Sequence, residues 1–123
     1  MKNTHTAERV SQRDASDNYV FQRSLLAYHK AAGMVSGDVL EIGTGSGYGV
    51  EIISPVAKSF LTVDKTMQPS NVIEGRSNVE FRRMSVPPLI GIESSSYDYV
   101  ISFQVIEHIK NDSGMVREIA RVL

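Results

Sequence analysis

The amino-acid sequence predicts an α/β fold with a parallel sheet, and three observations predict it. Four short runs rich in β-branched, aliphatic or aromatic residues recur at 39–42, 60–63, 79–82 and 99–103. Segments of helical or crossover character separate them, the alternation expected of parallel strands. A cluster of glycines, 43–49, follows the first run directly, so a sharp turn stands at a strand's carboxyl end.

Taken in order, residues 1–16 are polar, and Asp17 could cap a helix reaching about Ala32. Phe21, Leu25, Tyr28 and Ala32 fall on one face of it. Gly33 is a plausible stop, and Gly37-Asp38 a turn. Val39 to Ile42 reads as a short buried strand. After the glycines, Val50 to Ile53 suggests a short helix ended near Pro55. Phe60 to Val63 is a second strand, with Asp64 at its end. Lys65 to Asn78 contains Pro69 and Gly75 and is too broken for a long crossover helix; a turn or two of helix is expected at most. Val79 to Arg82 is a third strand and Tyr99 to Phe103 a fourth. Asn111, Asp112 or Ser113 could cap a last helix reaching Val122.

The 123 residues suit one domain, with 1–34 as a polar segment and helix and 35–123 as the folded body. Thirteen basic and fourteen acidic side chains give a net charge of -1, which leaves no overall electrostatic footprint for nucleic acid or anionic membrane. The absence of cysteine excludes disulfides, thiolate metal sites and cysteine nucleophiles, and no metal site is expected. Met1 to Asp14 lacks the apolar core of a signal peptide, and no apolar run approaches the ~20 residues needed to span a bilayer. A cytoplasmic location is the expectation.

The strongest chemical signal is Glu41-Ile42-Gly43-Thr44-Gly45-Ser46-Gly47, with Gly49 just beyond. Glycines permit positive φ and close approach of a ligand to the backbone, and amides at a helix start favour polar ligand groups. The plainer reading is a tight strand-to-helix turn with no ligand, which four glycines at alternate positions disfavour. No register fits the dinucleotide pattern G-x-G-x-x-G, and no lysine completes a phosphate-binding P-loop. Asp64 ends the second strand, where a carboxylate can accept hydrogen bonds from both hydroxyls of a ribose. An acid at a strand end is common on a surface; the glycine loop at this spacing favours the ligand.

These stretches resemble the class I S-adenosylmethionine-dependent methyltransferases, of the type 11-like kind. Val39 to Gly49 looks like the family's first motif and Thr62-Val63-Asp64 like its second. Asn78 to Phe81 resembles the third strand, Ser96 to Ile109 the fourth strand and the loop beyond, and Arg117 to Leu123 the helix that follows. The resemblance covers roughly 35–123. It implies a three-layer, Rossmann-like methyltransferase fold of strand order 3-2-1-4, with S-adenosylmethionine as cofactor. Glu41 would then help orient the methionine amino group, directly or through water. Gly43, Thr44, Gly45 and Gly47 would let the backbone pass the methionine portion. Asp64 would hold the ribose, with Lys65 or Thr66 flanking the adenine. The acid that usually follows the third strand is replaced by Ser85, whose hydroxyl, with the Val86 amide, would face adenine instead. Phe103 and Gln104 would lie beside the sulfonium. His108, next to Glu107, is a weak candidate for a general base, against the plainer reading that the pair shapes a turn. Tyr19 and Arg23 could close over the cofactor from the first helix. His5 and His29 read as solvent-facing, and Met84 and Met115 as packing residues.

The implied reaction is in-line methyl transfer from a sulfonium to an acceptor that the sequence does not name, with a small molecule favoured. The family continues after Arg-Val-Leu with a Pro-Gly turn and further strands, so the chain reads as a cofactor-binding part that stops before the fifth strand and is itself inactive. Two other readings stay open: a non-catalytic S-adenosylmethionine-binding fragment, or a module that works with a partner chain. A homodimer through the fourth-strand edge or the last helix is also expected.

Overall fold

The computed structural model of the chain describes residues 15–66, 73–103 and 105–123. The polar N-terminal stretch with His5, the middle of the segment after the second strand, and Gln104 lie outside them. In chain order the elements are α1 (Ala15–Ala32), β1 (Asp38–Ile42), α2 (Tyr48–Ile53), β2 (Ser59–Asp64), β3 (Val79–Arg83), β4 (Tyr99–Ile101) and α3 (Asp112–Val122), with single 3-10 turns at Ser54–Val56 and Ile106–His108.

All strand pairs are parallel, and the order is β3-β2-β1-β4. The two central strands explain why this sequence makes a covered sheet. In β1 and β2 consecutive apolar side chains leave on opposite faces, so a continuous apolar run needs cover on both sides. Val39 and Phe60, with Ile101 of β4, pack against Tyr28 and Ala31 of α1, Val35 just after it, and Val50 and Ile53 of α2. Leu40, Ile42, Leu61 and Val63 point the other way, onto Leu89, Ile92, Met115 and Val122. The result is three layers: α1 and α2 on one face, the sheet, and α3 with the 84–98 segment on the other. Burying one such aliphatic side chain is worth about 1.5–3 kcal/mol, so the central pair of strands anchors the fold.

Local chemistry sets the boundaries. Gly37, at φ +71°, turns the chain into β1, and the Asp98 carboxylate accepts from the Asp38 amide at 2.8 Å, tying the starts of β1 and β4 together. Gly47 enters α2 from the left-handed region, so the helix begins at Tyr48, two residues before the expected Val50. Pro55 sits in the 3-10 turn that ends it. Among the three candidate caps for α3, Asn111 serves: its side-chain oxygen accepts from the Gly114 amide at 3.0 Å. Residues 73–78, in the described part of the 65–78 segment, hold turns and no helix.

One boundary corrects the sequence reading. The fourth strand was expected over 99–103 but ends at Ile101. Its only strand neighbour in the described residues is β1, paired as Val39 with Tyr99, Leu40 with Val100 and Glu41 with Ile101. Beyond Ile42 the chain turns through Gly43, and the amides of Gly43 and Thr44 both donate to Val63 of β2 instead. Ser102 and Phe103 therefore have no ladder to join. Among the described residues, no helix is long and apolar enough to cross a membrane.

Candidate functional site

The glycine loop lies at the carboxyl end of β1, next to the point where the strand order reverses between β1 and β4, the usual ligand position in open α/β sheets. Gly43, Gly45 and Gly47 hold φ of +95°, +57° and +94°, values that L side chains rarely adopt. A Cβ at Gly43 would also run into the Val105 side chain. The sequence therefore uses glycine here for both conformation and space.

Asp64 faces this loop. One carboxylate oxygen accepts from the Gly45 amide at 2.9 Å, and the other accepts from the Thr66 amide and hydroxyl, each at 3.0 Å. The two stretches that sequence singled out are thus joined by a direct hydrogen bond. The stretch after β3 comes to the same place, because the Met84 amide donates to the Asp64 carbonyl at 2.9 Å. Ser85 is exposed there and Val86 half-buried. That stretch is held from behind by α3: Glu118 accepts from the Leu89 amide, and Arg121 donates to the Leu89 carbonyl.

Below the loop is a buried polar network. Glu41 is only 1% exposed. The Tyr28 hydroxyl donates to one of its oxygens at 2.6 Å, and the Thr62 hydroxyl donates to the other at 2.7 Å. With its proton committed to Glu41, Thr62 accepts from the Thr44 hydroxyl, 2.6 Å away. Tyr28 also meets Phe103 edge-on, with ring centroids 4.9 Å apart. Gly49 closes the arrangement, since a Cβ there would strike the Glu41 carboxylate and the Tyr28 ring. Burial pushes the Glu41 carboxyl up to about 7, against the lowering pull of Tyr28 and Thr62, and the nearby Asp64 adds to the rise. Burial, and then the Glu41 charge, raise the Tyr28 hydroxyl as well.

Among the described residues, neither Glu41 nor Asp64 has an ion-pair partner. Two carboxylates without a cation, beside a loop of close-approach backbone, fit a ligand that brings its own positive charge and hydroxyl donors. S-adenosylmethionine has both, in its ammonium and sulfonium groups and its ribose.

The remaining expectations sort plainly. Lys65 is exposed beside Asp64, and its carbonyl accepts from Arg83 at 3.0 Å. Phe103 is half-buried on Tyr28. Glu107 and His108 are exposed on the Ile106–His108 turn, with no side-chain hydrogen bond among the described residues. Tyr19 and Arg23 are exposed, and the contact found for them is with each other, the guanidinium 5.8 Å from the ring centre. His29 is exposed, whereas Met84 and Met115 pack into the core. The sequence reading missed the roles of Tyr28, Thr62 and Gly49. A signal for them existed: an acid inside an apolar strand requires buried donors, and a tyrosine on an apolar helix face carries one.

Residues 40–123 match the family model described as a methyltransferase domain. The chain is 36% identical over 122 residues to a probable S-adenosylmethionine-dependent methyltransferase of Mycobacterium tuberculosis, covering 98% of this chain and 44% of that protein. It thus spans less than half the length of this curated relative. Among solved structures, it is similar to the YcgJ protein of Bacillus subtilis (28% identity, TM-score 0.65, 83% of this chain and 46% of that one). It also resembles an arsenic(III) S-adenosylmethionine methyltransferase of Chlamydomonas reinhardtii (29% identity, TM-score 0.59, 69% of this chain and 34% of that one).

Proposed function

This chain belongs to the methyltransferase domain family, and from that premise we propose that it forms the S-adenosylmethionine-binding part of an enzyme that methylates a small-molecule acceptor. The observation that carries the reading is the Gly45–Asp64 hydrogen bond, which joins the glycine loop to the end of β2 beside two carboxylates that lack a cation. When bound, the cofactor supplies an electrophilic methyl group on sulfur. The work of this chain is placement. Gly43, Thr44, Gly45 and Gly47 let the backbone lie against the methionine portion, and Glu41 beneath them provides negative charge for its ammonium group. Asp64 accepts from the ribose hydroxyls. Lys65 or Thr66 on one side, and Ser85 and the Val86 amide on the other, flank the adenine. Phe103, on the Tyr28 ring, borders the sulfur.

The acceptor side draws on little here. Holding donor and acceptor in line can lower a barrier by several kcal/mol without any general base. His108 makes no side-chain hydrogen bond among the described residues, and no proton transfer is assigned to it. The near-neutral charge favours a small molecule over a polyanion as acceptor, and the lack of cysteine suits a reducing, cytoplasmic setting.

Calorimetric titration tests the reading. S-adenosylhomocysteine is expected to bind, and NAD is expected not to, because the glycine spacing does not suit a dinucleotide. Binding of NAD alone would overturn the assignment.

A further inference from the structure

Tyr28 lies before residues 40–123, the span of the family model, yet it touches the ends of both β1 and β4. Its hydroxyl reaches Glu41 at the end of β1, and its ring meets Phe103 beyond β4. It is 7% exposed and stands near the end of an 18-residue helix whose other buried positions among the described side chains, Phe21 and Ala31, are apolar. A buried tyrosine needs a partner for its hydroxyl, and the partner here is the one carboxylate under the glycine loop.

The groups facing Glu41 make that contact consequential. From α1 comes Tyr28, and from β2 come Thr62 and, at the strand's end, the Asp64 carboxylate. Gly49 of α2 and Ile101, its partner on β4, bring no charge. Every charged neighbour therefore opposes ionisation, and only the two hydroxyl donors support it. The carboxyl accordingly sits near the middle of the neutral range, at about 7, where losing one donor changes how much of it is charged.

We propose that Tyr28 is a positioning residue for the amino-acid end of the cofactor: by donating to Glu41 it keeps a carboxylate charged and fixed under the glycine loop, where the ligand's ammonium group needs it. The proposal rests on the cofactor reading above. It makes affinity for S-adenosylhomocysteine depend on pH through Glu41, and it makes the first helix part of the cofactor site.

The test compares the full chain with Tyr28→Phe, which keeps the ring and its packing on Phe103 and removes only the donor. Two ligands are titrated by calorimetry at several pH values: S-adenosylhomocysteine, which carries the amino acid, and methylthioadenosine, which does not. For the unaltered chain, affinity for S-adenosylhomocysteine should rise about tenfold from pH 6 to 8 as Glu41 ionises. In Tyr28→Phe the rise should move up by about one pH unit, giving binding about fivefold weaker at pH 7 and a gap of about twofold or less at pH 8. Methylthioadenosine should bind both proteins alike at every pH. A Tyr28→Phe protein with the unaltered S-adenosylhomocysteine profile overturns the proposal. So does an equal loss for both ligands, which would mark a purely structural role. If the unaltered chain binds neither ligand, the cofactor reading itself fails, and the proposal with it.

Discussion

The backbone amide of Gly45 donates to the side chain of Asp64 across 2.9 Å, joining the two ends of the central strand pair where a ligand would enter. Gly45 is in the turn after β1, and Asp64 is the last residue of β2, so the bond fixes how far the loop stands from the sheet. The same carboxylate also anchors Thr66. Asp64 is thus both a candidate ribose acceptor and a strut for the loop.

Asp64→Ala should weaken S-adenosylhomocysteine binding by about 1.5–3 kcal/mol, the worth of a charge-assisted hydrogen bond with its partner left unmet. Circular dichroism should show the fold retained, since Asp64 is half-exposed at a strand end. Normal binding by this variant would mean that the ribose sits elsewhere.

Gly49→Ala should destabilise the protein, contrary to the usual rule for helices. In an open helix the change gains about 1 kcal/mol from propensity. At Gly49 the added methyl meets the Glu41 carboxylate and the Tyr28 ring, and overpacking of this kind costs about 1–3 kcal/mol. Gly33→Ala is the control, because its methyl would meet only the Lys30 carbonyl, at 3.5 Å. Thermal melts should show Gly49→Ala several degrees below the parent and Gly33→Ala level with it or above. Two equal melting temperatures would remove the steric account of Gly49.

Glu41 should make stability depend on pH in a definite direction. Its carboxyl titrates at about 7 in the folded chain and near 4.5 when free, so the folded state holds its proton more tightly. The stability this provides is fully present below about 4.5 and is lost as pH rises through 7. The loss amounts to something on the order of 3 kcal/mol. Glu41→Gln keeps an acceptor for Tyr28 and cannot ionise, so its stability should not show that decline. Urea unfolding of both proteins from pH 4.5 to 8 measures the difference, and parallel curves would contradict the burial of an uncompensated acid.

The fold was legible because its strands are short apolar runs set off by turn residues. Val39 to Ile42 and Phe60 to Val63 read as strands, the strand order implied by the family resemblance put them at the centre, and there they are covered on both faces. Glycines at 43, 45 and 47 announced a turn that needs positive φ, and all three have it. What pattern could not show is what depends on contact between distant residues. Ser102 and Phe103 look like strand, but pairing is decided by the neighbour, and β1 has turned away by then. Tyr28 read as one apolar residue among four on a helix face, although its hydroxyl, 13 residues from Glu41, is the donor that the buried acid requires. Local spacing singled out the glycine loop and Asp64, the family resemblance suggested the other contacts, and the buried network beneath them is set by tertiary packing.

The edge of β4 carries the last prediction. Among the described residues β4 pairs with β1 on one side only, so its other side presents unpaired amides and carbonyls. An open strand edge is a template for another strand. Tyr99 on this strand is 39% exposed, and Val116 on α3 and Leu123 just after it are exposed apolar residues. At low micromolar concentration this chain should therefore self-associate, with β4 pairing against β4 of a second copy. Tyr99→Lys places a charge at the edge, a common device against such pairing, and should shift the chain to monomer. Multi-angle light scattering on both proteins decides it. A monomeric parent chain would refute the pairing outright, and a dimer untouched by Tyr99→Lys would move the contact away from β4 to another surface.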